Sequence, residues 1–431
     1  MFVLLIAALL TSAVDSFKFL GYSPRFAASH VNFQARLADA LIDAGHEVVL
    51  LSPALDGTLG TGGSRARVID IAPCASIAQG SRESAIGRMW TADHGVRVAE
   101  RFLPLIPGRI AQCNETLHVP GLIESLRAEN FDAAFSEAID YCSFGIFHLL
   151  GIDKVAITQS MAVNDHDFIW THVLSNPAQI DQGFPTIEQL LSETSYVFMN
   201  TEPLTDFPRP ISTKVIDIGG IVVSSGHSNV NETWSEIMDR RPHTILVSFG
   251  TFIKAHLMPE DYKQTIREAI RTFPNVTFIW KYEKPEHGMS TGIDNLVETT
   301  WLPQVDMLHD HRLTAFITHG GQGSITEANT AGVPLIQVKK NGLGIVLDKR
   351  DLGGGGLLEE TIESLLNHHA SYKNRAQLTA RKLSKRPFPM KETFVRHMEF
   401  MAEFGPLRML DHYGTHLNTH QYYLLDVIGA M

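Results

Sequence analysis

The sequence predicts an α/β protein with two Rossmann-like domains that face one another across a cleft. The chain has 431 residues, which is more than one ordinary domain needs. Short apolar segments of strand length alternate with segments of helical periodicity. This alternation occurs twice, and a stretch rich in Ser, Gly, Asn and Glu separates the two series at residues 221–241.

The first series begins with a predicted strand, Phe17–Tyr22, and a helical pattern follows from Phe33 to Leu41. Ser29 is a candidate N-cap of this helix, and Gly45 occupies the expected position of its C-cap. The other strands predicted for the first domain are 47–51, 67–71, 131–136, 154–158 and 196–200. Strands separated by helices favour a parallel sheet that is covered on both faces.

The second series predicts strands at 244–249, 276–281, 296–298, 315–318, 333–338 and 344–347, with mostly helical structure from residue 372. We therefore divide the chain into a first domain at 17–225, a linker at 226–240, a second domain at 241–385 and a C-terminal helical segment at 386–431. The glycine run at 353–356 is expected to be a flexible link, because no Lys-Ser/Thr pair follows it as in a phosphate loop.

The N-terminus has the pattern of a secretory signal peptide at residues 1–16. The run from Phe2 to Leu10 is apolar, and small and polar residues follow up to Ser16; basic residues are missing before the run, and a hydrophobic first strand is the alternative. Three sequons, at Asn114, Asn231 and Asn275, fit a protein of the endoplasmic reticulum lumen or a secreted protein. No later run is long and apolar enough for a membrane helix, so we expect no C-terminal anchor.

Composition argues against several classes of function. The net charge is −11 and Lys and Arg form no long run, which disfavours nucleic-acid binding. Cys74, Cys113 and Cys142 lack the even number and the spacing of a disulfide framework or a zinc site. Buried thiols, or one disulfide plus a third cysteine, both stay open. Paired carboxylates of the kind that hold a cation at a diphosphate are also missing, so no metal is expected.

Residues 301–334 contain the pattern that indicates function most strongly. A predicted buried strand, Ala315–Thr318, runs through His319 and two glycines into a helix near Ser324. The free N–H groups and the positive end of such a helix bind anions, and Gly320 and Gly321 allow the backbone to approach the ligand closely.

Side chains of this block supply the groups that a nucleotide requires. His319 and Ser324 can donate hydrogen bonds to a diphosphate, and Glu327 can accept one from a ribose hydroxyl, by analogy with dinucleotide-binding folds. Trp301 offers a flat face on which a base can stack, and the amide of Gln304 both donates and accepts. Each residue has a simpler structural role when taken alone, such as a core tryptophan, so the ordered set carries the prediction.

On these residues the chain is identified as a member of the UDP-glycosyltransferase family, of the animal UDP-glucuronosyl and UDP-glucosyl type, in a shortened form. The matching segments are 29–30, 37–52, 131–132, 206–210, 218–220, 248–251, 258–262, 301–304, 318–321 and 332–334. The resemblance implies the two-domain glycosyltransferase B fold. It also implies a UDP-sugar as co-substrate without a further cofactor or metal, and a small lipophilic acceptor bound in the first domain.

The resemblance assigns a role to each residue of the donor site. Trp301 and Gln304 would hold uracil, and Glu327 would hold the ribose. The diphosphate would be bound by His319, Gly321, Ser324, Gly250 and Thr251.

The resemblance also implies that His30 is the catalytic base, which takes a proton from the acceptor hydroxyl as this attacks the sugar carbon with inversion. His30 lies in the first βα loop, where α/β active sites occur, although a surface position beside a helix cap is the alternative. The family places an acid a few residues after Phe131-Asp132, and this residue is Glu137 here. Asp140 is the other candidate.

Three departures from the family pattern leave a second function open. Val338 runs almost directly into Lys339–Gly342 and the next strand, so the loop with the sugar-binding Asp-Gln pair is missing, and the remaining residues are too few for the usual crossover between parallel strands. The acceptor region near Asp165–Asn176 is shorter than in the family, and the C-terminal membrane helix is missing.

The alternative function is therefore a catalytically impaired UDP-binding or regulatory isoform that associates with itself or with full-length relatives. A nicotinamide dehydrogenase is disfavoured, because no Gly-x-Gly-x-x-Gly opens a helix after the first strand. The sequence does not choose between glucose and glucuronic acid.

Overall fold

The computed structural model describes residues 16–75, 87, 90, 105–161, 184–206, 210–223, 229–337, 344–411, 417, 419–422 and 425. Within them, the first domain contains strands β1 (Lys18–Tyr22), β2 (Glu47–Pro53), β3 (Arg67–Ile71), β4 (Ala133–Glu137), β5 (Val155–Gln159), β6 (Tyr196–Met199) and β7 (Val215–Asp217). Its helices are α1 (Ala28–Asp43), α2 (Ile106–Leu117), α3 (Leu122–Ala128), α4 (Cys142–Leu149) and α5 (Ile187–Ser192).

The first sheet is parallel, with the strand order β3-β2-β1-β4-β5-β6-β7. Successive residues of a strand point to opposite faces, and Phe19 and Leu20 are accordingly buried in two different hydrophobic clusters. The sheet is thus covered on both faces. The strand order reverses between β1 and β4, and ligands of open α/β sheets bind at the carboxyl ends of the strands beside such a reversal.

The second domain contains strands β8 (His243–Ser248), β9 (Val276–Lys281), β10 (Leu296–Thr299), β11 (Leu313–Thr318), β12 (Leu335–Gln337) and β13 (Gly344–Val346). Its helices are α6 (Glu232–Met238), α7 (Glu260–Thr272), α8 (Gln304–Leu308), α9 (Gln322–Ala331), α10 (Leu357–Asn367) and α11 (His369–Ser384). The sheet is parallel, with the order β10-β9-β8-β11-β12-β13, so it reverses between β8 and β11. The two-domain α/β prediction is confirmed.

The chain returns to the first domain after α11. Helix α12 (Met390–Phe404) packs on the first sheet, where Phe394 and Met398 are fully buried in one cluster with Phe198 of β6. A short helix, α13 (Thr419–Tyr422), follows. The C-terminal helical segment is therefore part of the first domain's core over 390–407.

Two local predictions of the sequence are wrong. Helix α1 begins at Ala28, and its N-cap is Ala27 without a side-chain hydrogen bond, so Ser29 lies inside the helix and is not its cap. The predicted linker ends earlier than expected. Asn231 caps α6 by accepting a hydrogen bond from the Trp234 amide at 3.1 Å, and Ile237 is buried in the second domain. An amphipathic helical turn therefore lies where polar composition suggested a loop.

The short connection after β12 was predicted to be insufficient for a parallel pair, and this prediction is also wrong. Leu335 of β12 aligns with Gly344 of the parallel neighbour β13. Both strands are only three residues long, so the chain returns by about 7 Å along the strands, which a few residues can span. The connecting residues 338–343 lie outside the described residues, as do residues 1–15 of the predicted signal peptide and the segment 165–176.

A disulfide joins Cys113 of α2 to Cys142 at the start of α4, with their Cα atoms 5.7 Å apart, and Cys74 lies outside this pair. Of the two alternatives for the cysteines, the structure therefore contains one disulfide plus a third cysteine. None of the helices within the described residues has both the length and the hydropathy of a membrane span.

Candidate active site

His30 and Glu137 form a buried pair at the reversal of the first sheet. His30 lies in the first turn of α1, after β1, and its Nδ1 is 2.8 Å from Oε2 of Glu137 at the end of β4. His30 is 8% exposed and Glu137 is 1% exposed, so both residues are buried. A carboxylate can only accept, so the proton between them lies on Nδ1, and Nε2 is the ring nitrogen that points away from Glu137.

The carboxylate of Glu137 is stabilised in its ionised form. Burial alone raises its pKa, but the attraction of His30 and hydrogen bonds from His30 and Ser160 outweigh burial, so the pKa of Glu137 lies below its ordinary value. The backbone N–H of Ser160 donates to Oε1 at 2.8 Å. The structure therefore contains an imidazole whose Nδ1–H is held by an ionised carboxylate.

Asp140, the other acid that the sequence offers, forms its hydrogen bonds with residues other than His30. Its Oδ2 accepts from the Tyr22 hydroxyl at 3.3 Å, and its Oδ1 accepts from the backbone N–H of Cys142 at 3.1 Å. Burial raises the pKa of Asp140, although the attraction of Arg109 opposes this. The structure brings Glu137, and not Asp140, into contact with His30.

The predicted diphosphate loops lie at the reversal of the second sheet, after β8 and β11. Gly250 has a φ of 82°, in the left-handed region, and a Cβ there would come within 2.9 Å of His319 Cε1. A Cβ on Gly321 would come within 2.5 Å of His319 Nε2. Glycine at both positions therefore lets the two loops close around the imidazole of His319.

Helix α9 begins immediately after Gly321, which caps the helix without a side-chain hydrogen bond. The first N–H groups of a helix have no partner within the helix, so they are available to an anion at this loop. Ser324, in the first turn, is 8% exposed. Thr251 is exposed beside the other loop. The arrangement suits a ligand with two phosphate groups.

The residues predicted to hold the nucleoside lie together. The amide nitrogen of Gln304 donates to Glu327 Oε2 at 2.7 Å and to Ser324 Oγ at 3.3 Å. Burial raises the pKa of Glu327, against the effect of the Gln304 hydrogen bond. Trp301 follows β10 and is 67% exposed, so its role as a core residue, the simpler alternative, is wrong.

The two predicted sites lie on facing surfaces. Phe252, which follows Thr251 in the second domain, packs against a small buried cluster of the first domain that contains Phe26 and Leu55. The ring of Phe26 is 4.4 Å from the ring of His30, centroid to centroid. The diphosphate loop therefore reaches the immediate surroundings of His30.

Sequence reasoning missed two polar residues of the donor region. Lys281, at the end of β9, donates from Nζ to the Gly250 carbonyl at 2.8 Å, and burial lowers the pKa of Lys281. Gln322, at the start of α9, donates to Asp206 Oδ2 of the first domain at 3.3 Å. Lys281 is the last residue of a strand and Gln322 is the first residue of a helix, and these positions at the ends of elements were the available signal.

Among the residues that the structure describes, His, Cys, Asp and Glu form no group of three that could hold a metal ion. The α9 N-terminus and the Lys281 ammonium are two positive groups near the diphosphate loops.

A protein-family model described as "UDP-glucoronosyl and UDP-glucosyl transferase" matches residues 166–431. The UDP-glucuronosyltransferase-type protein ugt-47 of Caenorhabditis briggsae is 26% identical over 494 aligned positions, which cover 97% of this chain and 90% of the relative. The Caenorhabditis elegans protein ugt-55, of the same type, is 30% identical over 362 positions, covering 72% of this chain and 70% of the relative.

Solved structures share the architecture. A UDP-glucosyltransferase from Polygonum tinctorium, in complex with 3,4-dichloroaniline, has a TM-score of 0.63 at 13% identity, covering 90% of this chain and 99% of that chain. The calicheamicin glycosyltransferase CalG4 has a TM-score of 0.60 at 14% identity, covering 91% and 100%. The fold is the two-domain glycosyltransferase B type.

Proposed function

Because the chain belongs to the UDP-glucuronosyl and UDP-glucosyl transferase family, we propose that it transfers glucose or glucuronic acid from a UDP-sugar to a hydroxyl of a small lipophilic acceptor. The observation that carries this proposal is the buried His30–Glu137 pair, which lies at the reversal of one sheet and opposite the diphosphate loops at the reversal of the other.

The catalytic step uses His30 as the base. Its Nε2 takes the proton of the acceptor hydroxyl while the oxygen attacks the anomeric carbon, and Glu137 stabilises the imidazolium that forms. The bond between the anomeric carbon and the diphosphate oxygen breaks on the opposite face of the sugar, so the configuration inverts. The negative charge of the departing UDP is stabilised by the N–H groups at the start of α9 and by the loops at Gly250 and His319.

Donor binding uses the block around α8 and α9. The exposed ring of Trp301 stacks on uracil, the Gln304 amide pairs with its polar edge, and Glu327 accepts from a ribose hydroxyl. Gln304 already orients the Glu327 carboxylate, so part of the site is formed before UDP binds.

We also propose that the protein enters the secretory pathway through cleavage near Ser16. The Cys113–Cys142 disulfide supports an oxidising compartment, and Asn114 and Asn231 are exposed at the surface. Mass spectrometry of material from secreting cells should find a mature N-terminus near Phe17 and glycans on these asparagines. A retained Met1 without glycans would contradict this localisation.

A second candidate function is a UDP-binding or regulatory isoform with impaired catalysis. The six residues between β12 and β13 leave little room for a sugar-binding loop. The alignment with ugt-47 runs over 494 positions, so the relative contains residues that this 431-residue chain lacks. This candidate predicts that UDP binds without sugar transfer.

The donor-site assignment is tested by calorimetry of UDP binding. We expect Trp301→Ala and Glu327→Ala each to weaken binding by about 1–3 kcal/mol, the scale of a lost stacking contact or hydrogen-bond partner. Phe388→Ala, which removes another exposed aromatic ring before α12, is the control and should bind UDP normally. Unchanged affinity in both site variants would contradict the assignment. Turnover of a labelled UDP-sugar by the same preparations separates the two candidate functions.

A further inference from the structure

Polar side chains continue from the His30–Glu137 pair along the edge of the first sheet. His30 follows β1, Glu137 ends β4, Ser160 follows β5 and Asn200 follows β6, and these four strands are neighbours in that order. We propose that Ser160 is a positioning residue, which fixes the Glu137 carboxylate against the His30 ring and is itself held by Asn200. This inference rests on the proposed function of His30 as the base.

Ser160 contacts both members of the pair. Its backbone N–H donates to Glu137 Oε1 at 2.8 Å, while Oε2 accepts from His30 Nδ1 at 2.8 Å. Its hydroxyl oxygen lies 2.8 Å from His30 Nδ1, and the hydroxyl also forms a hydrogen bond with the Glu137 carboxylate. Each carboxylate oxygen therefore has its own donor, so the carboxylate cannot rotate without losing a hydrogen bond.

The length of the Glu137 side chain explains why a second attachment is needed. Glutamate has one more rotatable bond than aspartate, and it reaches His30 in several arrangements unless its carboxylate is fixed. At 1% exposure, Glu137 has no bulk water to satisfy a misplaced oxygen. Ser160 supplies the missing constraint from the neighbouring strand.

Asn200 holds Ser160 in place. Its side-chain amide donates to the Ser160 carbonyl at 3.0 Å, and its own backbone N–H donates to Gln159 at 2.9 Å. Its side-chain oxygen accepts from the Gly220 N–H at 3.4 Å. Asn200 and Ser160 are 3% and 8% exposed, and hydrogen bonds in such dry surroundings are costly to break.

Ser160 also affects the charge of the pair. Its hydrogen bonds are among the causes that keep the pKa of Glu137 below its ordinary value against burial. The other titratable groups near Glu137 are His30 on α1, Arg109 on α2 and Asp140 after β4. Loss of the Ser160 hydroxyl raises the pKa of Glu137, so on acidification the carboxylate protonates at a higher pH than before.

The test compares kcat, KM and the pH profile of sugar transfer in Ser160→Ala, Ser160→Cys and Ser160→Thr. We expect Ser160→Ala and Ser160→Cys to lower kcat by about tenfold, as for one lost hydrogen bond to a charged group, with unchanged KM for the UDP-sugar. The acidic limb of the profile, where the His30–Glu137 pair takes up a proton, should shift relative to the unmodified protein. Ser160→Thr keeps the hydroxyl and should restore both. Ser143→Ala removes another buried hydroxyl, which donates to the Asp140 carbonyl at 2.9 Å, and is the control.

A second measurement does not require turnover. Nitrogen-15 NMR of the imidazole in the unliganded protein should show the Nδ1–H tautomer of His30, and Ser160→Ala should mix it with the Nε2–H tautomer. If turnover depends on His30 but Ser160→Ala leaves the tautomer, kcat and pH profile unchanged, the inference about Ser160 is overturned while the proposed function stands. Turnover that does not depend on His30 would overturn the proposed function, and the NMR comparison would then decide the positioning.

Discussion

Glu327 connects the nucleotide site to pH. Burial raises its pKa above the ordinary value, so the carboxylate takes up a proton earlier than usual as the pH falls. Once protonated, Glu327 is a weaker acceptor for the hydrogen bonds from a ribose hydroxyl and from Gln304, whose amide donates to it at 2.7 Å. The contribution of Glu327 to binding is therefore present above this raised pKa and is lost below it.

We predict that uridine affinity decreases from neutral to mildly acidic pH. Uridine is the appropriate ligand because the diphosphate of UDP titrates itself. Calorimetry across this range should show the decrease in the unmodified protein and a flat profile in Glu327→Gln, which keeps the shape of the side chain without the charge. The same pH dependence in both proteins would exclude Glu327 as its origin.

At the scale of single elements, helix α9 depends on the glycines before it. Gly320 has a φ of 81°, and a Cβ there would lie 2.4 Å from Gln337 Nε2, so a side chain would strain the turn and displace the side chain of Gln337. Gly323 lies inside α9, and a Cβ there would have no atom within 4 Å. The two positions are only three residues apart, but a side chain is tolerated at Gly323 and not at Gly320.

We predict that Gly320→Ala lowers the melting temperature and weakens UDP binding at least tenfold, about 1.4 kcal/mol. Gly323→Ala is the matched control and should leave the protein at least as stable as before, because a Cβ there meets no atom and alanine favours helix more than glycine does. Thermal unfolding with and without UDP measures both effects. Equal melting temperatures for the two variants would contradict the role of the Gly320 turn.

At the scale of the whole molecule, the chain is fixed where it returns from the second domain to the first. Arg386 follows α11, pairs with Glu202 after β6 at 3.0 Å and donates to the Gly219 carbonyl at 2.9 Å. Trp90, from the segment between β3 and α2, is buried in the second domain's core, and its indole N–H donates to the Lys254 carbonyl at 3.0 Å. Contacts of this kind hold the two domains around the donor loops.

We predict that Arg386→Met destabilises the protein by about 3 kcal/mol, because it leaves the 5%-exposed Glu202 without its cation. The double variant Arg386→Met, Glu202→Gln should recover a large part of this loss, since no buried charge then lacks a partner. Chemical denaturation of the single and double variants measures the coupling. Additive effects of the two substitutions would show that the pair does not act together.

The sequence predicted the elements whose signal is local. Apolar runs placed the strands of both sheets within two residues, except β7, which has three residues that are only half-buried. The cap at Ser29 was wrong because the helix begins one residue before it, at a position without a polar side chain. Helix α6 was missed because it has only seven residues, too few for a helical period to be detected in the sequence.

The candidate site was predictable where residues form an ordered block, as from Trp301 to Glu327. The choice of Glu137 over Asp140 came from a resemblance, since both acids lie at the carboxyl end of the same strand. Ser160 and Trp90 could not be found in this way. Each acts through a partner more than 100 residues away, His30 for one and Lys254 for the other, and such pairings have no local pattern.

The central claim is His30-dependent sugar transfer from a bound UDP-sugar. Labelled UDP-glucose and UDP-glucuronic acid, offered with a panel of small phenolic acceptors, test it most directly in the unmodified protein, His30→Ala and Glu137→Gln. We predict transfer by the unmodified protein and a loss of roughly 10²–10⁴-fold in kcat for His30→Ala, the share of general-base catalysis, with UDP affinity unchanged. Glu137→Gln should lose less, since the base itself is kept. Absence of transfer, or equal turnover with and without His30, would contradict the claim.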